Sequence, residues 1–280
     1  MRKGSVVLGT FDGLHKGHIV VLSLAEFPAT AITFSWPPAM DEKRELLMEP
    51  DEKISRLRDM GFSVRVLDFN KVCAISALDF LEMLDNEYHP AVICCGENYR
   101  FGSGGRGDSA LIERFCNEKG IKARISPLIE QDEIRISSSF IRSLIKSGEV
   151  EKANDMLSSP FSLSGEVIHG DSRGRTMGIP TVNFYYPDDL VAARHGVYAA
   201  RIEVEGREYP AVTYIGNRPT YHIDRCVCET NILDFSGDIY GERVSISLLS
   251  FIREDKKFDS LDALREQIES DIKKAKEKNT

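Results

Sequence analysis

Two histidines lie three residues apart in Gly9-Thr10-Phe11-Asp12-Gly13-Leu14-His15-Lys16-Gly17-His18. Val6-Val7-Leu8 precedes this stretch and Ile19-Val20-Val21-Leu22 follows it, the order of a strand, a tight glycine turn and a helix. Such a turn gathers backbone N–H groups and the positive end of a helix dipole at one point, which suits an anion. The spacing places His15 and His18 on one face of the first helical turn. Gly9 and Gly13 permit the sharp turn, and Gly17 lets a ligand approach the backbone. Together these residues suit a polyphosphate. Two plainer readings compete: a His pair that binds a metal, although no third ligand lies at a helpful spacing, and an ordinary capped helix.

Three further groups carry polar chemistry. Gly96-Glu97-Asn98-Tyr99-Arg100-Phe101-Gly102 alternates Asn98 and Arg100 with aromatics; the plain alternative is a surface loop with its rings folded inward. Ser137-Ser138-Ser139 precedes Ile141, Leu144 and Ile145, a good helix start whose hydroxyls and N–H groups could hold phosphates beside Arg142. Gly170-Asp171-Ser172-Arg173-Gly174-Arg175 runs towards Thr181-Val182-Asn183-Phe184. Thr181 and Asn183 are two apart and point to one side of a strand, where Asn is disfavoured without a reason. Their oxygens suit a hard cation such as Mg²⁺, and loop amides suit phosphates. An Asx turn in a surface loop is the bland alternative, and no Gly-Lys-Ser/Thr makes this a Walker A motif. Glu229 is expected to open a strand over residues 229–235, as a solvated carboxylate or as a base for a hydroxyl. Gly102, Gly104 and Gly107 spell Gly-x-Gly-x-x-Gly, but not at the end of a first strand, so no dinucleotide site is expected. Arg106-Gly107-Asp108 is treated as chance.

The elements that must position these residues differ between the two halves. Up to about residue 158, apolar runs at Ala31–Phe34, Val64–Leu67, Ala91–Cys95 and Lys122–Ile129 alternate with helical patterns at Asp51–Met60, Leu78–Leu84 and Leu111–Cys116. That alternation predicts a parallel sheet covered by helices, with ligands beyond the carboxyl ends of the strands. Glu149–Leu157 fits a short helix, and Ser158-Ser159-Pro160 ends it, so the boundary is placed between domains 1–158 and 159–280. Beyond it, strands at Leu163–Ile168, Gly196–Val204, Tyr209–Ile215 and Val244–Leu249 predict a closed or nearly closed antiparallel β-barrel. A charged helix from Leu261 to about Lys276 ends the chain.

Composition narrows the classes. The 280 residues carry a net charge of −8, with 20 Lys+Arg against 24 Asp+Glu in residues 1–158 and 16 against 20 in residues 159–280. Neither half is basic, which argues against nucleic acid as a main ligand. No window approaches a membrane span, and six cysteines form no Cys-x-x-Cys pattern. The expectation is a cytoplasmic protein without nucleic-acid or membrane partners; its oligomeric state is left open.

The spacing Gly-x-Phe-Asp-Gly-x-His-x-Gly-His resembles the His-x-Gly-His nucleotidyltransferases, and among them the FAD synthetase branch. Gly96–Gly102 is similar to a Gly-x-x-Phe-x-Phe-Gly segment of that branch, and Ser137-Ser138-Ser139-Phe140-Ile141-Arg142 to its Ser-Ser-Thr-x-Ile-Arg. The second half resembles riboflavin kinase over nearly its whole length. The likeness rests on Gly178-Ile179-Pro180-Thr181-Val182-Asn183, Gly196-Val197-Tyr198, Ile215-Gly216-Asn217-Arg218-Pro219-Thr220, Glu229 with Leu233-Asp234-Phe235, and Asp238-Ile239-Tyr240-Gly241.

The resemblance implies a bifunctional riboflavin kinase/FAD synthetase of class α/β plus β: a Rossmann-like nucleotidyltransferase domain, then an antiparallel barrel with a terminal helix. It further implies that riboflavin, FMN and ATP are substrates and that Mg²⁺ accompanies ATP. On this basis His15 and His18 serve adenylyl transfer, with Gly9, Phe11, Asp12, Gly17, Asn98, Ser138, Ser139 and Arg142 holding nucleotide or flavin. Thr181 and Asn183 bind Mg²⁺-ATP, Gly170, Arg173 and Arg175 belong to the phosphate loop, and Glu229 is the base on the riboflavin 5′-hydroxyl. Thr33-Phe34-Ser35-Trp36-Pro37-Pro38 lacks the histidine of the branch's Thr-Phe-x-Pro-His-Pro. That departure keeps open a kinase whose first domain is inactive on FMN; a non-catalytic flavin- or nucleotide-binding protein is the other alternative.

Overall fold

The computed structural model describes residues 2–34, 45–169, 181–217 and 225–278. The chain divides into two compact units, Met1–Phe140 and Ile141–Thr280.

The first unit alternates strands and helices. In chain order they are β1 (Ser5–Leu8), α1 (Lys16–Ser23), β2 (Ala29–Phe34), α2 (Pro50–Asp59), β3 (Ser63–Leu67), α3 (Phe69–Val72), α4 (Ala77–Tyr88), β4 (Val92–Gly96), α5 (Ser109–Lys119) and β5 (Lys122–Ser126). A small hairpin, β6 (Glu130–Gln131) and β7 (Ile134–Arg135), leads to α6 (Ser138–Ser147), inside which the two units divide. The five main strands are parallel in the order β3-β2-β1-β4-β5. The order reverses between β1 and β4, the switch point at which doubly wound sheets open a crevice. Successive residues of β1 feed opposite cores: Val6 and Leu8 pack with Ile32, Ile93 and Phe80, and Val7 packs with Ala31, Cys94 and Leu57. A sheet buried on both faces needs apolar residues at every position of its central strand, which is why Val6-Val7-Leu8 does not alternate. The strand expected over Lys122–Ile129 stops at Ser126, because Pro127 cannot donate to a ladder.

The second unit opens with the rest of α6 and with α7 (Val150–Met156). It continues through β8 (Ser162–Glu166), β9 (Thr181–Tyr185), β10 (Gly196–Val204), β11 (Arg207–Asn217), β12 (Cys226–Ile232), β13 (Arg243–Arg253) and α8 (Leu261–Lys278). Six antiparallel strands run in the order β8-β13-β10-β11-β12-β9. The sheet curls until its edges meet: Ile168 N–H donates to the Asn183 carbonyl at 2.8 Å, so the barrel nearly closes. Glu205 and Gly206, both at positive φ, form the tight turn between β10 and β11. The strand expected to begin at Glu229 runs instead from Cys226 to Ile232, which puts Glu229 at its centre.

Helix α8 lies on one face of this sheet, where Ala275 and Ile272 meet Val197, Ala199 and Val212. An ion pair fixes it. Arg253 Nε donates to Asp271 Oδ2 at 2.9 Å, and Gln267 Nε2 donates to Asp271 Oδ1 at 2.9 Å, with Asp271 only 1% exposed. All six cysteines are free. Burial pushes the thiols of Cys94 and Cys95 up to about 12 and that of Cys116 up to about 11, and holds that of Cys228 well above its ordinary value. Removing one partner of a buried ion pair strands the other, so Asp271→Ala should destabilise the second unit by about 3 kcal/mol. Urea unfolding followed by circular dichroism measures this; an unchanged midpoint would mean that α8 is held by its apolar contacts alone.

Candidate functional site

A cavity of about 560 Å³ opens at the carboxyl ends of β1 and β4, beside the switch point. Gly9, Phe11, His15, Gly17 and His18 line one side of it. Asn98, Tyr99 and Arg100, which follow β4, line another, and Ser137, Ser138 and Ser139 at the start of α6 complete it. Two helix N-termini therefore share one space, each contributing a positive dipole end.

The sequence builds this side locally. Phe11 takes a left-handed conformation (φ 52°), and its ring comes so close to Gly9 that a Cβ there would lie 2.6 Å from it. His15 caps α1: its Nδ1 accepts from His18 N–H at 3.3 Å. In the neutral imidazole that bond leaves the ring proton on Nε2. The His15 and His18 rings stack at 3.7 Å and 16°. A Cβ on Gly17 would sit 3.1 Å from the His15 ring, so the glycine gives the imidazole its place. Burial, then His15, then Lys53, push the His18 imidazole well below its ordinary range, and it stays neutral. His18 Nδ1 and Tyr99 Oη are buried with no hydrogen-bond partner among the described residues. Each such atom costs about 1–3 kcal/mol until something meets it.

Two residues expected at this site do not line the cavity. Asp12 does not line the cavity; its carboxylate is buried and accepts from Leu47 N–H at 2.9 Å. Arg142, half-buried in α6, is not among the lining residues either. Ser138 does more than line the wall: its hydroxyl donates to the Asp12 carbonyl at 3.2 Å, tying the start of α6 to the turn after β1. Lys53 on α2 was not anticipated. It is 5% exposed, and its Nζ donates to the carbonyls of Thr10 (3.1 Å) and Phe34 (2.7 Å). Burial pulls its pKa down to about 8, against the pull of Asp12.

The second polar cluster lies on the barrel. Register places Asn183 of β9, Glu229 of β12 and Tyr214 of β11 side by side, and residues paired across neighbouring strands share a face. Thr181 and Asn231 form the next pair on that face, and Thr181 Oγ1 donates to Glu229 Oε1 at 3.0 Å. On the opposite face Phe184, Cys228 and Ile215 are fully buried. The face that carries Glu229 is the one α8 covers further along, over Val197 and Val212. Tyr214 and Asn231 escaped the sequence reading. Asn231 was legible as the residue two beyond Glu229, whereas the cross-strand neighbour Tyr214 carries no local signal. Tyr214 Oη donates to Asp255 Oδ2 at 3.2 Å, and its ring lies over Gly216, where a Cβ would come within 2.2 Å of that hydroxyl. Gly170, Arg173 and Arg175, and the segment 35–44 that lacks the histidine, lie outside the described residues.

The donor set tests whether a cation fits. Thr181 and Asn183 supply neutral hard oxygens beside the Glu229 carboxylate, and no group of three or more His, Cys, Asp and Glu side chains among the described residues could cage a metal. So few protein ligands suit Mg²⁺ carried in on a nucleotide's phosphates, the usual habit of that ion.

A doubly wound unit with paired histidines at its switch point, followed by a barrel with a carboxylate, an amide and a hydroxyl on one face, defines a class: two phosphate-transfer units in one chain. The family model for FAD synthetase matches residues 1–140, and that for riboflavin kinase matches residues 157–279. The chain is 33% identical over 290 residues to the bifunctional riboflavin kinase/FMN adenylyltransferase of Bacillus subtilis, covering 98% of this chain and 92% of that protein. It is 31% identical over 287 residues to the protein of the same name from Escherichia coli K12, covering 97% and 91%. A crystal structure from Streptococcus pneumoniae, described as a macrolide-efflux protein, superposes with a TM-score of 0.89 at 31% identity over 98% of this chain and 94% of that one. Among the described residues no helix is long and apolar enough to cross a membrane. The chain belongs to the bifunctional riboflavin kinase/FAD synthetase family and is an enzyme with both transferase domains.

The His18 shift sets a pH dependence. Below pH ~6.5 the unfolded imidazole takes up a proton that the folded one refuses, so the unfolded state binds more protons and stability falls as pH drops. The first unit should therefore melt progressively lower from pH 7 to pH 5, and His18→Gln should flatten that slope. Differential scanning calorimetry across the range is the check; an equal slope in both proteins would place the titrating group elsewhere.

Proposed function

We propose that the barrel moves the γ-phosphoryl group of ATP to the riboflavin 5′-hydroxyl, giving FMN and ADP, and that the first unit then moves AMP from a second ATP to FMN, giving FAD and pyrophosphate. The observation that carries this reading is the placement of Glu229 beside Asn183 and Thr181 on one face of the barrel sheet, in the unit that matches riboflavin kinase.

In the kinase step Glu229 is the base. It takes the hydroxyl proton as the 5′-oxygen attacks the γ-phosphorus and the bond to the β-phosphate oxygen breaks. Thr181 orients the carboxylate before substrate arrives. Thr181 and Asn183 would hold Mg²⁺, which supplies charge neutralisation on the phosphates when bound. Gly170, Arg173 and Arg175 are assigned to the loop over those phosphates.

In the adenylyl step the nucleophile is an FMN phosphate oxygen, already ionised near neutral pH, so no base is required. Charge spreads over the α-phosphate oxygens as the bond to pyrophosphate breaks, and fixed donors lower that barrier. His15, His18, Gly17 and the N-termini of α1 and α6, with Ser138 and Ser139, face the space where those oxygens would sit. His18 stays neutral, so it acts as a hydrogen-bonding dipole. Gly9, Phe11 and Asn98 shape the nucleotide and flavin walls. Asp12 acts at one remove by fixing the backbone at Leu47, and Arg142 is assigned to phosphate charge once substrate is bound. The functional boundary stays at 158/159, with every adenylylation residue before it and every kinase residue after it. Free thiols suit a reducing compartment, the cytoplasm.

Separate sites predict separable losses. Glu229→Ala should lower FMN formation by about 10³-fold while FAD formation from added FMN persists, and His15→Ala should do the reverse. Chromatographic separation of riboflavin, FMN and FAD reads both steps. Parallel loss in a folded variant would remove the two-site reading, and FMN without FAD from the unaltered protein would favour a first unit inactive on FMN.

A further inference from the structure

Among the described residues of the first unit, Lys53 is a buried cation that the mechanism leaves unused. Gly9 N–H to the Ile32 carbonyl (3.2 Å) ends the ladder between β1 and β2. Beyond it the Thr10 and Phe34 carbonyls project from two adjacent strand ends, and one ammonium bridges them at 3.1 and 2.7 Å. The Thr33 hydroxyl donates to the same Thr10 carbonyl at 2.8 Å. Thr10 leads directly into Phe11 and the paired histidines, while Phe34 is the last residue of β2 before segment 35–44. Among the described residues, the groups that face the ammonium electrostatically are Asp12, from the turn after β1, and His18, from α1. A charged lysine kept this deep is costly unless its charge is used.

We propose that Lys53 is a positioning residue for adenylyl transfer: its charged ammonium locks the ends of β1 and β2 at the spacing from which the Gly9–His18 turn meets the nucleotide phosphates. The proposal rests on the adenylyltransferase reading of the first unit. Lys53 does not itself line the cavity; it acts through the Thr10 carbonyl and through the field it adds beneath the histidines. In a chain of net charge −8 such local positive charge has to be built in.

The test uses the full chain with FMN, ATP and Mg²⁺, following FAD, and riboflavin phosphorylation as the internal control. Lys53→Met should lower kcat for FAD formation by about 10²-fold, more than it changes KM for ATP, with FMN formation within twofold. Lys53→Arg should recover at least tenfold of that loss. Because Lys53 loses its proton near pH 8, FAD formation by the unaltered protein should fall through that region, and Lys53→Arg, whose guanidinium does not titrate there, should lack the limb. An unimpaired Lys53→Met overturns the proposal, as does the same alkaline limb in the arginine variant, which decides the matter even if the methionine variant does not fold. Absence of FAD from the unaltered protein would instead overturn the adenylyltransferase reading.

Discussion

Past the last rung of its ladder, β1 carries a peptide carbonyl, that of Thr10, to the crevice end of the first unit. A peptide carbonyl without donors in such a place would be expensive. Two side chains satisfy it, the Thr33 hydroxyl and the Lys53 ammonium, and each comes from a different element. The chain leaving Thr10 can then afford the left-handed step at Phe11, the buried carboxylate at Asp12 and the capped start of α1 at His15. The same small region takes up the Leu47 amide through Asp12 and the Ser138 hydroxyl through its carbonyl. Geometry at the histidines is thus set by contacts made behind them, out of reach of substrate.

The barrel solves its positioning problem differently. Alternation along a strand lets neighbouring residues do unrelated work: Cys228 and Thr230 pack inward while Glu229 between them stays half-exposed. Register, not a turn, brings Asn183, Glu229 and Tyr214 together, and register is fixed by which side chains must be buried. The terminal helix extends the logic. It takes the apolar stretch of the face, with the Tyr214 ring packed at its border, so cover and site share one continuous surface.

What could be read from the linear sequence follows from range. Runs such as Val6-Val7-Leu8 and Val92-Ile93-Cys94-Cys95 are buried on both sides and declare themselves locally. The His15/His18 spacing and the Thr181/Asn183 spacing depend on helical and strand periods and were equally legible. The direction of Asp12 was not, because its partner, Leu47, is 35 residues away. Lys53 sits in a helix crowded with charge (Asp51, Glu52, Arg56, Arg58), where one inward-facing lysine has no local mark. Tyr214 is visible only once β11 and β12 are aligned. Pro127 did carry a signal, and it explains why β5 ends before the apolar run does.

The thiols offer an internal clock for the opening of each unit. Cys94, Cys95 and Cys116 are sealed in the first unit and Cys228 in the second, and all four are poor nucleophiles while buried, because the reactive form is the thiolate. Each becomes an ordinary exposed thiol only when its own unit opens. An alkylating pulse followed by peptide mass mapping would therefore time local opening in the two units separately, within one molecule and without any introduced label.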